Sequence, residues 1–345
     1  MRAGRDQDID IAKGLGIFLV AAGHTPLWSS LGIPWIGPAI FSFHMPLFLF
    51  LSGLFLPVRQ AFPATLRKRA VGLMVPYLLA CAVFLATGEH KGWATLFGRI
   101  GWATGQSMAW PWTPLWFLPH LFVGILLARA LVRTWNHTRL SRWIWLGLFA
   151  LLLIATRYVF DWEEASDFEL FERAFNLLGM PWSFDLLPLS LVWLIAAHAF
   201  GKDLREAASS WWSFPLFAGT ASLLFWRHAW STNFNVRTID HLAGSTLAAL
   251  LGILATLALA KQLSRWSVPS AALASLGRAS LWILVSHAFL QSWTYAKLWD
   301  EAKGATPDRI LLFGFLVGWC LPWRLHAVRE LVPRLLTARR AKDIP

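Results

Sequence analysis

Three histidines and one lysine combine residue type with a spacing that chemistry could use. Asp10-Ile-Ala-Lys13 opens the first apolar run, and ten residues separate Lys13 from His24. Eleven helical steps of about 100° make three turns plus roughly 20°, so Lys13 and His24 share a helix face about 16 Å apart. Gly14, Gly16, Ala21, Ala22 and Gly23 are small enough to let a second helix or a ligand approach closely. A cation at the mouth and a histidine deeper in suit a long anionic ligand, its phosphates held by Lys13 and its extended arm reaching the imidazole. Histidine titrates near neutrality and can take the proton of a hydroxyl as a general base. A plainer role fits the same spacing, with His24 as a polar contact between helices and Lys13 reaching back to the membrane surface.

Other polar residues lie within apolar surroundings. Phe43-His44-Met45-Pro46-Leu47-Phe48 is followed by Ser52-Gly53, and Pro46 is expected to break the backbone ladder, either as a plain kink or where a helix lines a cavity. Arg67-Lys68-Arg69 precedes Pro76-Tyr77 and is either a topology anchor or a phosphate-binding cluster. Trp116, ahead of Phe117-Leu118-Pro119-His120, is an interfacial anchor or a stacking surface for an acceptor. His287 adds a third histidine in mid-run. Asp185, Arg227, His228, Asp240 and His241 gather at one set of helix ends, as solvated charges or as sugar-binding groups. The stretch 161–172, with Asp161, Glu163, Glu164, Asp167, Glu169 and Glu172, reads as an outer loop or an amphipathic surface helix. No HExxH and no local serine-triad motif occurs, and Cys81 and Cys320 form no CxxC, so no metal is expected.

The elements that must position these groups are membrane helices. Only 14% of the 345 residues are charged, 57% are hydrophobic, and mean hydropathy is +0.51. A water-soluble domain carries about a quarter charged residues, which excludes an ordinary cytosolic enzyme. Twenty-three Trp and 25 Phe against three Tyr fit wide lipid-facing and interfacial surfaces. Ten apolar segments approach the length of a span, at 9–29, 36–58, 70–87, 115–132, 143–160, 182–200, 212–226, 239–260, 278–295 and 309–323. The expectation is an all-α polytopic membrane protein, a single domain over 1–345. Asp6, Asp8 and Asp10 ahead of the first run argue against a cleavable signal.

The net charge of +12 does not point to nucleic acid, because the basic residues fall in short clusters between apolar runs. With the N-terminus inside, 22 of the 31 Lys and Arg residues lie on the cytoplasmic side, whereas most acids lie outside. That asymmetry predicts ten spans with both termini cytoplasmic. Arg334, Arg339, Arg340 and Lys342 are expected at anionic lipid head groups.

Taken together, these residues resemble the acyltransferase-3 superfamily, and within it the fucose 4-O-acetylase-like and polysaccharide O-acetyltransferase branch. The resemblance rests on Arg5, Asp10-Ile-Ala-Lys13-Gly14, Gly23-His24, the run Phe43–Gly53, Pro76-Tyr77, Leu115–Leu118, Leu276–Ser280 and Ser286-His287. No motif is matched over about 135–270. Lys13 stands where many members have Arg, and Gly72 where an Arg four residues before the Pro-Tyr is usual, leaving Arg69 one turn earlier. The resemblance implies transfer of an acyl group, commonly acetyl from cytosolic acetyl-CoA, to hydroxyls of glycans or other acceptors at the bacterial inner membrane. It implies His24 as base or transient acyl carrier, Lys13 with Arg67, Lys68 and Arg69 at the donor phosphates, and Asp10 orienting Lys13. His44, Ser52, Trp116 and His287 are the candidate substrate-binding residues. No permanently bound cofactor is expected; the partners are acyl-CoA, a glycan or lipid-linked sugar, and membrane lipids. A glycan transporter or flippase, and a succinyltransferase acting on periplasmic glucans, are the competing readings. The transporter finds little support, since the second half holds no echo of the His-Met-Pro segment.

The charge asymmetry is directly testable. Reporter fusions after Arg69 and at the C-terminus should both report the cytoplasm, whereas a fusion near Asp167 should report the outer side; if two successive fusions report the same side, an even number of spans separates them, where three and then five are expected.

Overall fold

The computed structural model describes residues 6–87, 100–104, 108, 110–138, 142–162, 166–170, 173–177, 179–235, 237–301 and 306–342. The chain forms two compact units, one from 1–37 with 259–345 and one from 38–258.

The first unit is built around α1 (Gln7–Gly23), which packs against α12 (Ser267–Arg278) and α13 (Ser280–Glu301). Asp8 and Asp10 in the first turn complement its N-terminal partial charge. Glycine sets the crossing with α12. A Cβ on Gly14 would collide with the Leu273 carbonyl oxygen, and one on Gly277 with the Asp10 carbonyl oxygen. Helices α12 and α13 meet at Ala279 with a bend of 75°. α14 (Pro307–Lys342) lies along α13, where Gly314 accommodates the Tyr295 ring and Gly318 the Gln291 side chain.

In the second unit, α3 (Ile36–Phe41, which begins in the first) leads into α4 (His44–Gly53). α5 (Phe62–Arg69) continues through a π-helical turn, Ala70–Met74, into α6 (Val75–Thr87). Then come α7 (Phe117–Thr138), α8 (Arg142–Trp162), α9 (Leu187–Ala207), α10 (Ser213–His228) and α11 (Leu242–Leu263), whose last turn belongs to the first unit. α9 is the central helix and packs against α4, α7 and α8. Gly53 lets α4 approach the α9 backbone at Leu194. Arg129 of α7 is buried and donates to the carbonyls of Pro57 and Gln60, fixing the segment after α4.

Each of the ten expected segments contains a helix, but among the described residues six helices are long and apolar enough to cross a membrane, or seven with the bent α12–α13 pair taken as one span. The difference from ten lies in three short elements. α1 has 17 residues and stops at Gly23, α10 has 16, and the described apolar part of α8 is Trp143–Tyr158. Outward-facing apolar side chains such as Leu78, Leu79, Leu151, Leu223 and Phe313 are exposed, as a lipid-facing surface requires.

Two local expectations are corrected. Pro46 does not kink a continuous helix: the break falls at Ser42-Phe43, α4 starts at His44, and Pro46 occupies the first turn, where a missing N–H costs nothing. The acidic stretch is not a surface helix. Ser166–Leu170 (β1) pairs antiparallel with Arg173–Leu177 (β2), consistent with the period-two alternation of Asp167-Phe168-Glu169-Leu170. Glu163, Glu164 and Glu172 lie outside the described residues. A second short pair, Thr232–Asn233 (β3) with Thr238–Ile239 (β4), closes the link from α10 to α11.

The glycine crossing predicts a graded response. Gly277→Ala should lower stability by about 2–3 kcal/mol, the cost of overpacking against backbone that cannot turn away. Gly219→Ala, on α10 with nothing within 4 Å of its added carbon, should be neutral or slightly stabilising. Thermal unfolding of the two variants in detergent separates these outcomes.

Candidate active site

His24 sits at the C-cap of α1, because Gly23 and Pro26 end the helix there. The last carbonyls of a helix lack intrahelical partners and need donors from elsewhere. Here side chains supply them. Trp28 Nε1–H donates to the Ala22 carbonyl (2.6 Å), and the Gln291 amide of α13 donates to the Ala21 carbonyl (3.1 Å). His24 Nδ1 lies 2.8 Å from the Val20 carbonyl. A carbonyl only accepts, so Nδ1 carries the ring proton and Nε2 holds the basic lone pair of the neutral imidazole.

The His287 ring meets His24 edge to face, with centroids 5.2 Å apart and planes at 79°. His287 is fully buried, and its Nδ1–H points to the Ile283 carbonyl at 2.8 Å. Both rings therefore direct Nδ1–H to a carbonyl of their own helix. One turn further along α13, Gln291 follows His287. Tyr295 then bonds through its hydroxyl to Thr25 Oγ1 at 3.0 Å. Sequence reasoning missed Gln291, Tyr295 and Thr25; the i, i+4, i+8 spacing from His287 to Gln291 and Tyr295 was the available signal.

Lys13 is half-buried and Asp10 is buried, one turn apart on α1. The helix is unbroken from Lys13 to Gly23, so the three-turn separation of Lys13 from His24 stands at about 16 Å.

The remaining candidates belong to the second unit. His44 is buried at the start of α4, with Nδ1 3.1 Å from the Ile40 carbonyl and its ring 5.1 Å from Phe41. Ser52 is half-buried near the far end of α4, about 12 Å along the axis from His44, so these two do not form one cluster. Arg67 and Lys68 are exposed on the last turn of α5, whereas Arg69 donates to the Phe55 carbonyl at 3.3 Å. Trp116 is not an exposed interfacial anchor: it is 3% accessible, packed against His120 and Phe234. Of the five groups at helix ends, His228 and His241 stay together, stacked on the two sides of Trp230, whereas Asp185 is drawn away into a buried ion pair with Arg237 at 2.6 Å. Asp240 accepts from the Ser231 N–H and hydroxyl.

Comparison with known proteins places this geometry in context. The Acyl_transf_3 family model, described as an acyltransferase domain, matches residues 6–324. The nodulation protein NolL of Mesorhizobium japonicum is 29% identical over 41% of this chain and 39% of its own length. NolL of Sinorhizobium fredii is 32% identical over the same shares. The match thus spans about two fifths of the length of these relatives. No solved structure matches. With the family match running across nearly all the described helices, from the start of α1 into α14, the chain belongs to the acyltransferase-3 family, and its helices are those of an integral membrane protein.

Proposed function

We propose that this protein moves an acyl group, acetyl foremost, from acyl-CoA to a hydroxyl of a cell-envelope glycan or lipid-linked sugar at a bacterial inner membrane. The observation that carries the reading is the state of His24. Its Nδ1–H is committed to the Val20 carbonyl, so Nε2 is the proton acceptor, and Lys13 stands three turns away on the same helix face.

In this reading the donor phosphates are drawn to Lys13, with the exposed Arg67 and Lys68 adding to the attraction for a polyanion. Arg69 contributes less, since its guanidinium is already held by the Phe55 carbonyl. Asp10 orients Lys13 from one turn before it. As the acceptor hydroxyl attacks the thioester carbon, His24 Nε2 takes its proton and then delivers it to the departing CoA thiolate. His287, packed edge to face on His24, holds the ring in place and stabilises the imidazolium that forms between these steps.

Purified protein should bind acetyl-CoA and hydrolyse it slowly. His24→Ala should keep that affinity within about twofold while turnover falls about 10²–10⁴-fold, the range for loss of a general base. Lys13→Ala should instead weaken binding about tenfold or more, with Lys13→Arg restoring it, as for a charge-assisted contact to phosphate. Isothermal titration paired with thiol-release kinetics reads both effects. Absence of binding to acetyl-CoA and succinyl-CoA at millimolar concentration would sink the donor assignment.

A further inference from the structure

The corner between α10 and α11, in the unit formed by 38–258, is closed by side chains rather than by extensive packing. Ser213, at the start of α10, is the buried residue of that helix, and its hydroxyl donates to the Ala207 carbonyl at 2.8 Å. Leu216, Leu223 and Trp226 further along α10 are exposed. The other end is held by the last residue of the helix. His228 lies flat on Trp230, with centroids 4.0 Å apart and planes at 8°, and His241 stacks on the indole at 5.1 Å and 21°. The indole also covers Gly244, where a Cβ would collide with the ring.

His241 directly precedes α11 and caps it. The Gly244 N–H, one of the donors that a first helical turn leaves without a partner, lies 2.9 Å from His241 Nδ1. An N–H only donates, so Nδ1 holds the lone pair and the ring is neutral, with its proton on Nε2. Ser245 makes the cap reciprocal: its hydroxyl oxygen accepts the His241 N–H at 3.4 Å and donates to the Ser231 carbonyl at 2.8 Å. One imidazole thus ties the start of α11 to the indole that seats the end of α10. The usual capping side chains, Ser, Thr, Asp and Asn, keep their acceptor oxygen near neutral pH, whereas imidazole loses its acceptor on gaining a proton.

We propose that His241 is a pH-sensitive latch on the α10–α11 corner: the neutral ring closes it and the imidazolium releases it. Two effects act in the same direction. Protonated Nδ1 is a donor facing the Gly244 N–H, so the cap is lost, and a full positive charge then stands at the N-terminal end of α11, where the helix dipole disfavours it. The attraction of an imidazolium for the Trp230 face opposes them in part, but it does not replace the acceptor that Gly244 loses. α10 brings Arg227 and His228 to the corner, both exposed, and a proton on His228 places a like charge across the indole from His241. The link brings Asp240, whose carboxylate is engaged by the Ser231 N–H and hydroxyl, and Arg237, which is turned to Asp185. Residues 242–249 of α11 carry no charge. The latch is therefore closed in the neutral state and opens as pH falls, freeing the His228 end of α10 while Ser213 holds the other.

Hydrogen–deuterium exchange of the full-length protein in detergent, at about pH 8 and about pH 5.5 with rates corrected for the intrinsic effect of pH, tests this without any donor or acceptor. In the wild type, peptides covering 242–246 should lose protection about fivefold or more at the lower pH, the usual worth of an N-cap, and 225–228 should follow. His241→Asn supplies a cap that does not titrate, so its protection should change less than about twofold between the two conditions. His241→Ser is a second cap of that kind should the Asn variant lose its fold, which the protection of α9 reports. His228→Gln should leave the wild-type response in place. Wild-type protection at 242–246 that stays within about twofold across the two conditions would overturn the latch. An equal loss in the Asn and Ser variants would also overturn it, assigning the response to another group such as Asp240, and so would a response that disappears in His228→Gln.

Discussion

The end of α1 is governed by a requirement that lipid makes strict: every buried backbone oxygen needs a donor from the protein itself. α1 stops at Gly23 rather than running on, and of its final carbonyls that of Ala22 meets the backbone N–H groups that follow, while side chains complete the set. Trp28, Gln291 and the His24 ring each satisfy one of them. The consequence is chemical as well as structural. An imidazole recruited to cap a carbonyl has its tautomer chosen, and the nitrogen left over is the one able to take a proton. His44 and His287 repeat the arrangement, each donating Nδ1–H to the carbonyl four residues earlier.

Close backbone approach supplies the precision such a site needs. Gly14 and Gly277 let α1 and α12 touch main chain to main chain, and Gly314 and Gly318 let α14 lie against Tyr295 and Gln291. Without a hydrophobic driving force between helices in lipid, contact of this kind is a principal source of association. It also explains why the polar side chains of α13 are held where they meet α1. Gln291, Tyr295 and His287 lie along one side of α13, and Tyr295 and Gln291 are pressed from behind by glycines of α14.

Charge is used differently in different places. Arg67 and Lys68 are exposed on the last turn of α5. Arg129 and Arg237 are buried and structural in their contacts, one clasping the carbonyls of Pro57 and Gln60, the other clasping Asp185. A buried ion pair of the second kind is weak evidence for stability, because desolvation offsets much of the attraction. What it does secure is geometry, here the shape of the turn from Gly179 to Asp185.

The sequence by itself determined the class of fold and a helix in each of its ten apolar segments, because hydropathy over about 20 residues and the 3.6-residue period are local properties of the chain, but it did not mark the more polar helices α5 and α12. It also determined the Lys13–His24 relation, which depends only on an unbroken helix between them. The number of full-length spans was not legible, since whether α1 continues past Gly23 depends on donors from Trp28 and Gln291 that lie far away in sequence or outside the helix. Pro46 illustrates the same limit: its residue type announces a break, but the backbone around Ser42-Phe43 decides where the break falls. Pairings made across the fold, His24 with His287, His120 with Ser190 and Asp185 with Arg237, were decided by tertiary structure alone. Their partners are separated by 52 to 263 residues, and no local pattern encodes which distant side chain will fill the remaining valence of a buried polar group.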